Sequence, residues 1–144
     1  MDLRTAAPRS PKETLLGYVH LPRMIDKCRA FHQGTLGDYL YPCPLDQSLL
    51  DFVGLTAQSF LEGVKGKSDE ECRRWIRHMA TSRTPADIED WNQRFLAKGP
   101  ETDEQQKYFH TVRDGIAPAR TDITTWADLL DVDEGRDVSK HTSR

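Results

Sequence analysis

The sequence predicts an all-α protein, and three observations lead there. Apolar residues recur at three- and four-residue spacing along most of the chain, the period of a helix face. Serine, threonine or aspartate stands before these segments and glycine or Gly-Pro closes them, which is the start and stop chemistry of helices. The only alternating piece, Tyr39-Leu40-Tyr41, is too short for a sheet of its own. The expectation is a compact single domain of about seven short helices over 21–134. An irregular lead precedes it over 1–20, and a polar tail over 135–144 frays.

After the lead, Pro22 suits the first turn of a helix that runs to about Gly34. Met24, Ile25, Cys28, Phe31 and His32 share one face of it, and Arg23, Asp26, Lys27 and Ala30 share the other. A second helix follows Asp46 as its cap, carries Leu49, Leu50 and Val53, and ends at Gly54. Leu45 and Leu50 then stand at the positions of a hydrophobic staple. Thr56 caps a third helix with Phe60, Leu61 and Val64. Ser68 and Glu71 have capping-box spacing and open a fourth, whose stripe is Cys72, Trp75, Ile76 and Met79. Thr84-Pro85 opens the fifth, with Ile88, Trp91 and Phe95 on its buried side and Gly99-Pro100 as its stop. Thr102 with Gln105 repeats the box before Tyr108, Phe109 and Val112. Thr124 or Thr125 starts the last helix, with Trp126, Leu129 and Leu130.

Composition limits the class. A chain of 144 residues buries roughly 70% of its unfolded surface in one core. At 37% apolar and 30% charged it is too apolar for disorder and too polar for a membrane protein. No apolar run approaches the ~20 residues that a spanning helix requires, so membrane insertion is not expected. The opening MDLRTAAPRSPKET carries charges and prolines where a secretory signal has its apolar stretch. Three cysteines, widely spaced and without a C-x-x-C pair, argue against a disulfide framework and a zinc knuckle. A cytoplasmic protein with reduced thiols is the expectation. The net charge of −3 is unevenly spread: residues 1–35 hold six Lys/Arg against three acids, and 122–144 hold six acids against three Lys/Arg. Opposed ends of this kind either steer a partner or meet each other within the fold, without the basic field that nucleic acid demands.

Each candidate site has a plainer competitor. Cys28 and His32 stand four apart, a ligand spacing, but on the apolar face; further ligands would have to come from His20, Cys43 or His78. Neither a metal site nor any other cofactor is expected. Cys43 precedes a helix start, which favours a thiolate, yet no signature supplies a histidine base and the flanking prolines suit a rigid corner. Arg73, Arg74 and Arg77 around Trp75 resemble a recognition helix, but Asp69, Glu70 and Glu71 occupy the end that phosphates would approach. Arg23, Asp26 and Lys27 form a ridge that is either a set of surface pairs or a face offered to an anion or a partner's carboxylates. In DYLYPCPLDQSLLDF, Pro42, Pro44, Leu45 and Asp46 have structural work as a stiff entry to a helix. The hydroxyls of Tyr39 and Tyr41 need partners if buried and are interface anchors if exposed.

The segments LPRMIDKCRAF, LGDYLYPCPLDQSLLDFVGL and SDEECRRWI together resemble the bacterial family catalogued as domain of unknown function 5069. The resemblance runs from about Pro11 to Asn92 and more loosely beyond, with Pro22, Arg23, Asp26, Lys27, Tyr39, Asp46 and Trp75 in its core pattern. It implies a small cytoplasmic helical protein and brings no activity, cofactor or catalytic residue. The functional expectation is therefore a non-catalytic protein acting through protein–protein contacts, as an accessory subunit or regulator. Its candidate binding residues are Arg23, Asp26, Lys27, Tyr39, Tyr41 and Asp46. The alternative is a domain or enzyme that takes a small anionic metabolite on Arg23 and Lys27, with Asp26 as polar anchor or general acid/base and Tyr39 or Tyr41 as lid.

Overall fold

The computed structural model describes residues 1–140. Its elements, in order, are the strands β1 (Thr14–Leu15) and β2 (Tyr18–Val19) and the helices α1 (Leu21–Gln33), α2 (Pro44–Val53), α3 (Ala57–Val64), α4 (Asp69–Met79), α5 (Pro85–Ala97), α6 (Asp103–Ile116) and α7 (Trp126–Asp133). The seven-helix, mostly α architecture is as the sequence predicts. Contacts gather into two compact units, Met1–Glu89 and Asp90–Arg144.

In the first unit the lead is mostly irregular but is not idle. It folds into a minimal antiparallel hairpin, Thr14 facing Val19 and Leu15 facing Tyr18. Leu16 and Gly17 make the turn at φ 55° and 82°, the left-handed pair that a two-residue hairpin loop requires. Leu3, Leu15, Tyr18 and Val19 are buried, and β1 packs on α1. The sequence shows no helical period here, so these core residues go unmarked.

Helix α1 has Pro22 in its first turn and ends at Gly34, where φ 70° lets the glycine amide reach the carbonyls of Ala30 and Phe31. The division into an apolar and a charged face does not hold. Leu21 through Cys28 are all buried, Arg23, Asp26 and Lys27 included, while Phe31 is 47% exposed. Neighbours enclose the first two turns on every side, and only the last turn is amphipathic.

Helix α2 starts earlier than its aspartate suggests. Cys43 is the N-cap, Pro44 the first helical residue, and Asp46 the third, its carboxylate returning to the Cys43 amide at 3.0 Å. With the cap moved, Leu45 and Leu50 no longer hold staple positions. Thr56, Ser68, Thr102 and Thr125 cap α3, α4, α6 and α7 as read from the sequence. On α4, Cys72 and Ile76 are buried but Met79 is 48% exposed, so the expected stripe shortens to one turn and a half. Helix α3 packs against α1, α2 and α4. Gly63 makes the α4 contact possible, because a Cβ there would run into the indole of Trp75.

In the second unit α6 and α7 pack together around Phe109, Ile123 and Leu129, with Val112, Trp126 and Val132 against them. Trp126 meets Phe109 edge-on at 5.1 Å, a favoured aromatic geometry. In the polar tail, the carbonyls of Val138 and Ser139 accept hydrogen bonds from Arg120; the expected fraying over 141–144 lies outside the described residues. Among the described residues no helix is long and apolar enough to cross a membrane.

Candidate functional site

The candidate residues converge on the buried start of α1 and the corner that leads into α2. His20 precedes α1 with a left-handed backbone, φ 71°, a conformation that histidine adopts more readily than most residues. This aims its ring at α2, where Nε2 lies 2.7 Å from Asp46 Oδ1. Two turns further on, Lys27 Nζ donates to Asp46 Oδ2 at 2.6 Å and to Cys43 Sγ at 3.3 Å. His20, Lys27 and Asp46 are at most 3% exposed. The Asp46 carboxylate thus caps its own helix and joins α1 to α2.

Burial pushes the Asp46 carboxyl upward, but the His20 hydrogen bond and the Lys27 charge outweigh it and hold the group at about 2. Burial lowers the His20 pKa, with the Asp46 bond opposing. Asp46 is therefore ionised and His20 neutral near pH 7, with the Nε2 proton donated to the carboxylate. The Nδ1 atom meets no hydrogen-bond donor or acceptor among the described residues, which also disfavours a second ring proton.

A second buried carboxylate, Asp26, sits one turn before Arg29 on α1. It accepts the Arg9 backbone amide at 2.9 Å and the Arg9 guanidinium at 3.1 Å through both oxygens. Arg9 continues to Asp69 at the start of α4, at 2.7 and 3.1 Å, and Arg29 closes the ring on Asp69 at 2.9 Å. Arg9 and Arg29 hold the Asp69 carboxyl below its usual range. The lead is thereby tied to α1 and α4.

The corner between α1 and α2 is held in place from beneath. Arg23 donates to the Arg9 carbonyl at 3.2 Å and lies over the Tyr39 ring at 5.6 Å. Tyr41 donates its hydroxyl to the Ala57 carbonyl at 2.8 Å, and burial raises its phenol pKa. Phe31 meets the Tyr41 ring edge-on at 6.2 Å. Leu40, between the two tyrosines, is 70% exposed.

Of the six expected binding residues, Asp46 and Lys27 meet directly, Arg23 meets Tyr39, and Asp26 belongs to the neighbouring ring of charges. The ridge expected on the surface is interior: Arg23, Asp26 and Lys27 are 1–3% exposed. Lys27 and Asp26 spend their charges on partners within the chain, so in this arrangement Lys27 does not face an outside anion and Asp26 does not anchor one. Sequence reasoning missed Arg9 and Arg29, and named His20 only as a remote metal ligand. Arg9 lies 17 and 60 positions from its two partners, and no local pattern links residues so far apart. Cys28 is fully buried and pushed up to about 12, chiefly by that burial. No group of three or more His, Cys, Asp or Glu among the described residues is placed to hold a metal ion.

A mostly helical fold whose first helix is tied to its neighbours by two sets of ion pairs is the class of small protein that these elements define. The chain belongs to the family described as domain of unknown function 5069, whose pattern matches residues 5–136. The match extends through α7, well past the stretch that carries the resemblance in sequence. No curated protein matches the chain.

Proposed function

We propose that this is a cytoplasmic bacterial protein that works through protein–protein contacts, without catalysis of its own, as an accessory subunit or regulator. The observation that carries the reading is the corner ahead of α2. Leu40, next to the half-buried Tyr41 in the chain, is 70% exposed, and Phe31, whose ring meets that of Tyr41, is 47% exposed. The polar bonds of Arg23, Tyr41 and Asp46 hold the same corner from below. Exposed apolar side chains on a preorganised backbone lose little entropy on docking, and clustered exposure of this kind marks contact surfaces more than scattered residues do.

The test is a native-host pull-down of tagged protein, wild type and Leu40→Asp/Phe31→Ser, at native abundance and modest salt. The wild type should retain a stoichiometric protein that the double variant loses at an unchanged melting temperature. Recovery of a lone protein from the wild type, or equal retention by both, would overturn the reading.

One observation favours the small-anion alternative, at a different place. A cleft of about 200 Å³ is lined by Leu16, Tyr18, Ile76, Arg77, Thr81 and Arg83, among others, which puts two arginines on its wall, Arg83 with its guanidinium also bonded to the Phe52 carbonyl. A thermal-shift screen over anionic metabolites tests it, since a ligand at a hundred times its dissociation constant adds ~2.7 kcal/mol. Arg77→Ala should abolish any shift that this cleft produces.

A further inference from the structure

Cys43 differs from the other two thiols. Cys28 and Cys72 are fully buried, and burial raises both of their pKa values. Cys43 is partly exposed at the corner. Directly beneath its sulfur is the amine of a buried lysine, Lys27 Nζ, 3.3 Å from Sγ. That amine cannot swing away, because Asp46 Oδ2 holds it at 2.6 Å and Asp46 is itself fixed by His20 and the Cys43 amide. Cys43 is thus partly open to solvent while the Lys27 nitrogen is held within contact distance on its protein side.

We propose that Cys43 and Lys27 form a peroxide-driven modification site, in which the Sγ and Nζ atoms become joined by a covalent sulfur–nitrogen bond. The oxidant is hydrogen peroxide. It converts the thiol to a sulfenic acid, giving one water, with sulfur oxidised by two electrons and the peroxide O–O bond reduced. A sulfenic acid condenses with a nearby nucleophile. The Lys27 ammonium gives one proton to the sulfenic oxygen and its freed lone pair attacks sulfur. The N–S bond forms, the S–O bond breaks, water leaves, and a second nitrogen proton, made acidic by the new bond to sulfur, passes by way of Asp46 to solvent. Asp46 is the positioning residue: it holds Nζ against Sγ. Confinement within contact distance replaces an encounter in solution. The link would erase the Lys27 charge and tie α1 to the cap of α2. This proposal is independent of the protein-contact reading.

Full-length reduced protein is treated with graded hydrogen peroxide, digested with trypsin without reductant, and mapped by mass spectrometry. The expected product is a peptide pair joined through Lys27 and Cys43, lighter than the sum of its parts by two hydrogens. Cleavage after Lys27 should be lost, and thiol reductant should restore it. Cys43→Ser should give no joined pair. Lys27→Arg keeps the cation without the amine, and should leave a Cys43 sulfenic acid that dimedone traps. The wild-type map decides the matter even if a variant folds poorly. Cys43 that stays reduced, that proceeds to sulfinic or sulfonic acid with no joined pair, or that yields a pair with an added oxygen would each overturn the direct bond.

Discussion

Replacing Asp46 with asparagine removes one negative charge at nearly constant shape, and its effect is calculable from the structure. The carboxyl is held at about 2 in the folded protein against 3.8 as its ordinary value, a difference that corresponds to about 2 kcal/mol of stability near pH 7. The substitution also strands the Lys27 ammonium, which is 3% exposed; breaking a buried pair in this way costs about 3–5 kcal/mol. A loss of about 3 kcal/mol or more is thus expected in urea unfolding at pH 7, with the slope unchanged. The sign with pH follows from the downward shift. A depressed carboxyl stabilises fully above its unfolded value, and that contribution is lost as pH falls toward the folded one. About 1 kcal/mol of it should be gone from the wild type by pH 3, narrowing the gap to the variant. Because the contacts form two units, amide exchange resolves the effect best: α1 and α2 amides should lose protection. A gap below about 1 kcal/mol at pH 7, or one that widens between pH 5 and pH 3, would refute the assignment of Asp46 as a buried, ionised tie.

Gly63→Ala tests the α3–α4 contact through the sign of its effect. Helix propensity alone favours alanine by up to ~1 kcal/mol, whereas the new methyl collides with the Trp75 indole and overpacking costs about 1–3 kcal/mol; a lowered urea midpoint is expected, and a raised one would show the contact to be loose. Arg9→Ala strips two guanidinium bonds from Asp26, which is 1% exposed, and leaves it the longer Arg29 contact at 3.5 Å, so a loss of about 2 kcal/mol and faster proteolysis of the lead are expected in limited digestion. Iodoacetamide at pH 8 should label Cys43 in the native protein and Cys28 and Cys72 only in denaturant; native labelling of Cys28 would contradict its burial and its pKa of about 12. His20 adds a milder pH dependence: its lowered pKa means stability drains as pH falls below its ordinary value of 6.5, and His20→Gln should flatten that limb of a melting-temperature profile.

Helices were legible in the sequence because their signals are local. Thr56, Ser68, Thr102 and Thr125 lie within three residues of the amides they satisfy, so residue type and spacing suffice. The capping aspartate of α2 was misplaced by three residues for the same reason. An aspartate serves equally as an N-cap or as the third residue of a box, and only the Cys43 amide at 3.0 Å separates the two. The burial of Arg23, Asp26 and Lys27 was not legible. It depends on Arg9, Asp46 and Asp69, which close around α1 from other segments, and charge in a sequence reads by default as solvated surface. The same residues were nonetheless singled out with Tyr39, Tyr41 and Asp46, since an unusual charged cluster beside an aromatic, proline-rich corner stands out whether it faces inward or outward.

Stability alone gives a poor account of such an interior. Two carboxylates and several cations lie against the first two turns of α1, and apolar side chains of similar volume there would often be neutral or stabilising by 1–4 kcal/mol. What ionic ties supply that apolar packing does not is direction. Asp46 fixes the start of α2 and the Lys27 amine in one geometry, and the Asp26–Arg9–Asp69 chain fixes the lead. Both sets of bonds converge, through Arg23 and the Arg9 carbonyl, on the base of the corner that exposes Leu40. A contact surface and a sulfur poised over an amine make the same demand on the interior, a backbone held to one conformation at its rim. Substituting the His20–Lys27–Asp46 set jointly by apolar residues separates stability from that demand: a variant that melts no lower than wild type yet loses partner retention would show that the charges serve the corner, whereas full retention would show that they do not.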